Sequence, residues 1–486
     1  MQQARKEAAW QPRRIVYNDD AGAAWEASPE AFINARLRQT VNTQVDLVTF
    51  DPRWLDDVCL YPTKVAEVVH GNALIQAGYD PVQLALQYCH EHNIEFFPTI
   101  RMNDIHDALP GLVEQRATWK KEHPDYLLGT HEDWDKYPQS SPHKWWVSKD
   151  YAISAVRDRQ FLQIQELCEN YDIDGIELDW FRSPQFFRPT LDLQPTTPEQ
   201  NAMMNDFMRR IRKMTERVSR QRGRPLLVAV RIPMSVQRSL SIGLDIVTWL
   251  RDDLCDIVTV GGGYVPMAMA PQVREMAEFV HQYDRPLYAC ISASGMREEL
   301  NSVEAWRGAA MNIWYAGADA VYTFNFFPAE PDERLSQMGS PETLRGLDKI
   351  YAIDYIVVED FEGDLRPGLV APDRLPRQVQ AGTWTELHLP VGENVAANAP
   401  AGKSAVTQLR IRCEQLPESA EIIAQLNGQD LGAGLRSEVS GNANWLSWQP
   451  NPSEVRLGEN IIKLTNAAPA SGSLTVDRLH LVVHYQ

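Results

Sequence analysis

Hydrophobic and polar positions along the first 330 residues alternate between two periods. Short apolar runs rich in Val, Ile, Leu and aromatic residues read as strands: Arg14 to Asn18, Val45 to Asp51, Ile94 to Asn103, Ile173 to Asp179, Leu226 to Arg231, Asp256 to Gly261, Pro286 to Ser292 and Ala318 to Asn325. Helical patterns follow them at Pro29 to Thr43, Pro81 to His92, Asp158 to Tyr171, Pro198 to Gln221, Leu244 to Asp253, Pro271 to Tyr283, Val303 to Ala316 and Glu342 to Ile353. In the fourth of these, Met204, Phe207, Met208, Ile211, Met214 and Val218 share one face, as in a helix packed on a sheet. Eight such alternations predict an α/β fold of the (β/α)8 TIM-barrel class. A doubly wound sheet is the alternative, but no glycine-rich first turn supports it.

Spare length is concentrated after the third strand. From Asp104 to Ala152 the chain is rich in Trp, Tyr, His and Pro, too long for a bare connector, and is expected to roof one end of the barrel. After about Asp360 the helical period disappears. Alternating runs such as TWTELHLPV, AVTQLRIRC and SLTVDRLHLVVHY, punctuated by Gly, Pro, Asn and Ser, predict a C-terminal β-sandwich domain. The expected division is a catalytic barrel over residues 1–357 and an accessory sandwich over 358–486. Within the sandwich, Trp384, Trp445 and Trp448 are all expected in the core, which suits a buttress better than a binding module.

Composition narrows the partners. Forty-seven basic against 65 acidic residues leave a net charge of −18, which repels a phosphate backbone or an anionic membrane surface, so neither nucleic acid nor membrane is an expected partner. From Val358 on, only 10 basic face 15 acidic residues, so most of the acidity belongs to the barrel. No apolar stretch near 18 residues occurs and no signal-like segment follows the N-terminus. That makes a cytoplasmic location the expectation for the sequence as it stands, or secreted or periplasmic if a leader has been removed. Cys59, Cys89, Cys168, Cys255, Cys290 and Cys413 show no CxxC spacing and read as buried thiols. The sequence leaves the oligomeric state open.

In a barrel of this class the chemistry sits where the strands end, on the C-terminal face. The fourth strand is the most informative, reading Asp174-Gly175-Ile176-Glu177-Leu178-Asp179-Trp180. A period of two puts Gly175, Glu177 and Asp179 on one face and the apolar pair on the other, so both carboxylates should point inward. Like charges about 7 Å apart along a strand in a confined space push their pKa values apart, which suits acid and base roles at a glycosidic bond. An inward carboxylate could equally just pair with Arg231 or Arg101. Other strand ends supply Asp19 and Asp20, then Arg101, Asn103, Asp104 and His106, then Arg231, Tyr264 and Asn325, with Arg182 just past the fourth. Sugar hydroxyls need bidentate polar partners and an aromatic face, and Trp180, Tyr264, Trp134, Trp145 and Trp146 are the candidate platforms. Each of these residues taken alone could equally fix a loop or fill a core.

Several other patterns carry no chemistry. Gly261 to Gly263 lacks the phosphate-loop context, Asp104-x-His106 lacks a metal-binding partner motif, and no GxSxG elbow is present, so neither cofactor nor metal is expected.

The runs YNDDAG (Tyr17 to Gly22), RMNDIHD (Arg101 to Asp107), DIDGIELDWFRSPQFF (Asp172 to Phe187), AVRIP and GLDIVTWL resemble the glycosyl-hydrolase-like family 10 group of bacterial TIM-barrel proteins. The resemblance covers most of the barrel and little of the sandwich. It implies a polysaccharide-acting glycosidase with a fourth-strand Asp, here Asp179, at the reaction centre. The same strand also resembles the chitinase signature D-G-x-D-x-D-x-E at Asp174, Gly175 and Asp179. It departs from that signature at Glu177 and at Phe181, which replaces the chitinase acid.

Together these features lead to the expectation of a glycoside hydrolase acting on a poly- or oligosaccharide. Asp179 is expected as nucleophile or base and Glu177 or Asp104 as acid. The remaining rim residues are expected to bind substrate. Arg101, Arg182 and Arg231 raise the narrower expectation of an acidic sugar, a uronate or a sulfated unit. The rival reading is a carbohydrate-binding protein that keeps the groove without catalysis.

Overall fold

The structure is a computed structural model; it describes residues 1–20, 25–138, 141–261, 270–293, 298–354, 375–414, 416, 421–438, 443–467 and 473–486. All eight expected strands are present: β1 (Ile15–Asp19), β2 (Val45–Phe50), β3 (Glu95–Arg101), β4 (Gly175–Asp179), β5 (Leu227–Ile232), β6 (Ile257–Val260), β7 (Leu287–Ser292) and β8 (Ala320–Phe324). They close in the ring order β1-β8-β7-β6-β5-β4-β3-β2, every neighbouring pair parallel. Residues in one phase, such as Val16, Leu47, Phe97, Ala229, Ile257 and Tyr322, form an apolar core inside the ring. The other phase packs outward against the helices, among them Pro198–Arg222, whose Met204, Met208 and Ile211 are buried. This is a TIM barrel, with its interior filled by side chains.

The N-terminal end of the ring is plugged by a helix the sequence pattern had not suggested, Gln2–Ala9. Its short, charged sequence looks like a solvated tail. In the fold, Arg5 is buried against Asp256 (2.8 Å), Glu216 (3.2 Å) and Asp253, while Ala9 joins the interior core. Arg13 then pairs with Glu95 and donates to the Tyr288 hydroxyl (3.2 Å).

At the opposite end, three short strands follow β2, namely Arg53–Leu55, Val58–Cys59 and Glu67–Val68. The long segment after β3 is anchored beside them by buried ion pairs. Lys120 reaches Asp107 (2.7 Å) and Asp56 (3.4 Å), and Lys149 reaches Asp56 (2.8 Å) and the Gln160 side chain (2.7 Å). Trp146 fills a small core of its own with Ala108, Leu127 and Val147, and Trp145 is buried against Ile105.

The helix expected over Glu342–Ile353 is not formed. A short helix, Pro341–Leu344, ends before Gly346, which takes a left-handed backbone (φ 71°), and the chain continues as strand β9 (Lys349–Asp354). The local pattern there admits either period, and pairing with a distant strand decided the outcome. The remaining strands are β10 (Arg377–Gln380), β11 (Trp384–Val391), β12 (Ala405–Glu414), β13 (Ile422–Leu426), β14 (Gln429–Ala433), β15 (Leu435–Glu438), β16 (Ala443–Trp448), β17 (Gly458–Asn466) and β18 (Ser473–Tyr485). They build two antiparallel sheets, β9-β18-β12-β16-β15 with β10 also on β18, and β11-β17-β13-β14. Alternate residues of both, including Leu389, Ile411, Ile462 and Leu479, enter one core. Trp445 and Trp448 are buried as expected, but Trp384 is 56% exposed.

Barrel and sheets meet at helix Val303–Tyr315. Its Gly308 lies against β9 so closely that a Cβ there would stand 2.1 Å from the Ile350 carbonyl oxygen, and Asn312 donates to the Pro390 carbonyl of β11 (3.1 Å). The six cysteines are buried and unpaired. Among the described residues, no helix is long and apolar enough to cross a membrane.

The contact at Gly308 is with backbone, which cannot rotate away. We expect Gly308→Ala to lower stability by about 2 kcal/mol in chemical denaturation; an unchanged midpoint would mean that this helix and β9 are not in tight contact.

Candidate active site

The site is built from the residues in which each strand's inner phase runs out of apolar side chains. In β4 the phase begins at Gly175, where a Cβ would lie 2.5 Å from the Phe97 ring, so the close approach of β4 to the interior aromatic requires glycine. Two residues on, Glu177 is buried with its Oε1 accepting from the Thr99 hydroxyl (2.7 Å) and the Tyr322 hydroxyl (2.8 Å). Burial first, and the neighbouring Asp179 charge second, push the Glu177 carboxyl up to about 7, against the opposing pull of Thr99, Arg231 and Tyr322. The Tyr322 hydroxyl is itself 3.0 Å from the Thr49 hydroxyl, which accepts from the Asn18 amide (2.9 Å).

Asp179 stands one layer closer to the mouth and has a different environment. Its Oδ2 accepts from Arg231 Nη2 (2.7 Å), and its Oδ1 accepts from the backbone N–H groups of Phe181 (2.9 Å) and Arg182 (3.0 Å). Arg231, in register with Asp179 on β5, also donates to the Gly261 carbonyl (3.1 Å) and lies over the Phe324 ring at 4.1 Å. The pairing with Arg231 that the sequence left open is therefore the arrangement formed. The two β4 carboxyls differ in kind: one carries a full cationic partner, the other is fully buried with two hydroxyl donors.

A second ionic cluster is centred on Arg101, opposite Asp179 in the β3–β4 register. Arg101 reaches Asp51 (3.0 Å), Asp104 (2.9 Å) and Asp20 (3.6 Å). Burial raises the Asp51 carboxyl to about 6 even though Arg101 and Arg53 oppose it. For Asp104 burial also acts upward, but His106, Arg101 and Arg182 outweigh it and hold the carboxyl well below its ordinary value. His106 binds Asp104 through Nδ1 (2.6 Å) and faces Arg182 Nη2 through Nε2 (3.2 Å). Asp51 was not singled out from the sequence, although it ends the second apolar run in the inward phase, the criterion that selected Asp179.

Other expected site residues are distributed differently. Asp19 is out of phase and pairs outward with Arg36 (2.8 Å); its neighbour Asn18 takes the inward position. Asp20 is half-buried between Arg36 and Arg101. Asn103 serves as a backbone clamp, donating to the Lys149 carbonyl (3.2 Å) and accepting from the Lys149 N–H (3.0 Å). Trp180 requires correction as a sugar platform: it falls in the outward phase of β4 and is fully buried against Tyr151, Phe186, Phe207 and Trp249. Trp145 and Trp146 are likewise core, and Trp134 is half-buried under Lys144 (4.6 Å). Asn325 lies just past β8 in a left-handed conformation (φ 49°). Tyr264 lies outside the described residues. Among the described residues, no group of three His, Cys, Asp or Glu side chains is placed to hold a metal ion.

With this geometry in place, comparison with known proteins gives a match over part of the barrel. The model of the glycosyl hydrolase-like 10 family matches residues 34–192, which include Arg101, Asp104, His106, Glu177 and Asp179. Solved structures similar to the chain are distant. A cycloisomaltooligosaccharide glucanotransferase from Paenibacillus sp. is 11% identical with a TM-score of 0.36, covering 97% of this chain, which spans 57% of that protein's length. The endo-β-1,4-mannanase of Thermotoga petrophila is 11% identical with a TM-score of 0.46, covering 96% of this chain and 98% of that one. An α-amylase from Lactobacillus plantarum is 11% identical with a TM-score of 0.38, covering 95% and 100%. A comparison with curated protein sequences finds no match.

The raised Glu177 carboxyl has a measurable consequence. A carboxyl raised from 4.5 to about 7 in the folded protein binds a proton there more tightly than in the unfolded chain. Its stabilising contribution is full below the unfolded value and is lost as pH rises through about 7. Glu177→Gln mimics the neutral form and should match wild type in acid, becoming the more stable protein above neutrality by up to about 3 kcal/mol. Denaturation midpoints across pH check this, and parallel curves for the two proteins would contradict it.

Proposed function

We propose that this protein hydrolyses glycosidic bonds of a poly- or oligosaccharide at the C-terminal mouth of the barrel, with Asp179 as nucleophile or base and Glu177 as the proton-holding acid. The observation that carries this reading is the unlike pair on β4: one carboxyl matched by Arg231 and two backbone N–H groups, the other buried with its pKa raised to about 7. Glycosidic cleavage needs one carboxyl able to give a proton and one able to stabilise or attack the developing oxocarbenium ion, and such a division by environment supplies both at neutral pH. Asp104 suits the acid role less, because His106 and Arg101 hold it in its charged form. The match to a glycosyl hydrolase-like family supports the same reading.

The sugar at the centre is neutral in this account. Arg101 and Arg231 are already matched by buried carboxylates, so of the three arginines that suggested a uronate or sulfate, only Arg182 stands at the rim beside His106. The net charge of −18 points the same way.

A second reading, binding without cleavage, draws on the fact that both Asp179 oxygens are engaged. One experiment separates the two. Purified protein is incubated with neutral and acidic oligosaccharides and released reducing ends are counted. We expect turnover of a neutral chain and a loss of at least about 10³-fold in Asp179→Asn, with binding retained. Turnover confined to acidic chains would overturn the neutral-sugar assignment, and glycan binding by wild type with no cleavage would favour the second reading.

A further inference from the structure

Three neighbouring strands are followed by aromatic rings that are exposed or half-buried at the end of the barrel that holds Asp179. Strands β8, β1 and β2 are consecutive around the ring. Phe327 follows β8, Trp25 follows β1, and Trp54 follows β2. Trp25 is 47% and Phe327 39% exposed, and Trp54 is half-buried with its inner edge on the core. Trp25 and Trp54 meet edge to face, with centroids 5.8 Å apart and planes at 76°. Single exposed apolar side chains need no explanation, but two exposed rings and a half-buried one on adjacent loops at the C-terminal end of a barrel form a set.

Polar groups join this arc to the centre of the mouth. Arg36 stands over the Phe327 ring at 5.2 Å and pairs with Asp19 (2.8 Å) and Asp20 (3.1 Å). Asp20 in turn reaches Arg101 (3.6 Å), which is opposite Asp179 in register. In the ring order, β8 lies across from β4.

We propose that Trp25, Trp54 and Phe327 form a second sugar-binding subsite, which holds a unit of the same chain distant from the one at Asp179. The proposal rests on the glycosidase reading above and extends it. A pyranose has an apolar C–H face that stacks on an aromatic ring and a hydroxyl edge that takes bidentate polar partners. The arc supplies the rings, and Asp20 with Arg36 supplies the polar edge. The arc begins two strands from β4, at Trp54 after β2, and ends across the ring at Phe327 after β8, so it is set apart from the unit at Asp179. The ligand that fills both is an oligomer lying across the opening.

Affinity electrophoresis of the full chain in gels carrying dextran, galactomannan or mixed-linkage β-glucan tests this. We expect at least one polymer to retard the wild type, and Trp25→Ala and Trp54→Ala each to raise the dissociation constant about tenfold, with Phe327→Ala moving in the same direction. Trp25 is exposed, so Trp25→Ala should melt with the wild type, which separates lost binding from lost folding. Equal retardation of wild type and all three variants overturns the subsite and leaves the glycosidase reading in place. Wild type retarded by no polymer overturns the subsite, and if it also releases no reducing ends from any oligosaccharide, the glycosidase reading fails with it. Loss of self-association in Trp25→Ala with unchanged retardation would assign the rings to a protein contact instead.

Discussion

The ion pair between Asp179 and Arg231 is the constraint around which the barrel mouth is organised. Both side chains are buried, and they are held by adjacent strands in register. A charge in such a place is tolerated only with its partner, and removing one member of a buried pair costs about 3–5 kcal/mol. The pair therefore ties β4 to β5, and the remaining bonds follow from it. With one oxygen on Arg231, the other Asp179 oxygen is turned back to receive the N–H groups of Phe181 and Arg182, which shapes the loop leaving β4. That loop delivers Arg182 to His106 and so couples the pair to the Arg101 cluster.

The pair also adds to the character of Glu177 one layer below. Burial in the barrel interior disfavours a charge there, and the negative charge at Asp179 on the same strand disfavours it further. The result is a graded column of carboxyls, matched by a guanidinium at the mouth and protonatable beneath it. Buried carboxylates at both ends of the barrel are held by cations: Asp51 and Asp104 on Arg101, Asp56 and Asp107 on Lys120, and, at the plug, Asp256 on Arg5 and Arg212. Buried arginines and lysines thus fix the loops at one end of the barrel and the plug at the other, so a site of high charge density can sit on a rigid frame.

The barrel was legible because its signal is local and repeated eight times. Alternation within β4 placed Glu177 and Asp179 inward without ambiguity. Applied consistently, the same alternation also places Asn18 inward in place of Asp19, selects Asp51, and sends Trp180 to the core, as the structure has it. What could not be read locally depended on distant partners. The segment Lys349–Asp354 is a strand because β18 receives it, Gln2–Ala9 is a helix because the open ring end binds Arg5, and Trp384 is exposed because its sheet presents that face outward. Likewise, no short-range pattern shows that Trp25, Trp54 and Phe327 stand on adjacent loops, since they are brought together by closure of β8 onto β1.

The central claim is that the buried Glu177 carboxyl beside the Asp179–Arg231 pair keeps its proton to about neutral pH, and infrared spectroscopy reads this most directly. The difference spectrum between wild type and Glu177→Gln isolates the carbonyl stretch of a protonated Glu177. The account predicts that this band is present in mild acid and disappears with a midpoint at about 7 as pH rises. Its absence throughout, or a midpoint in the ordinary range for a solvated glutamate of about 4.3, would contradict the account.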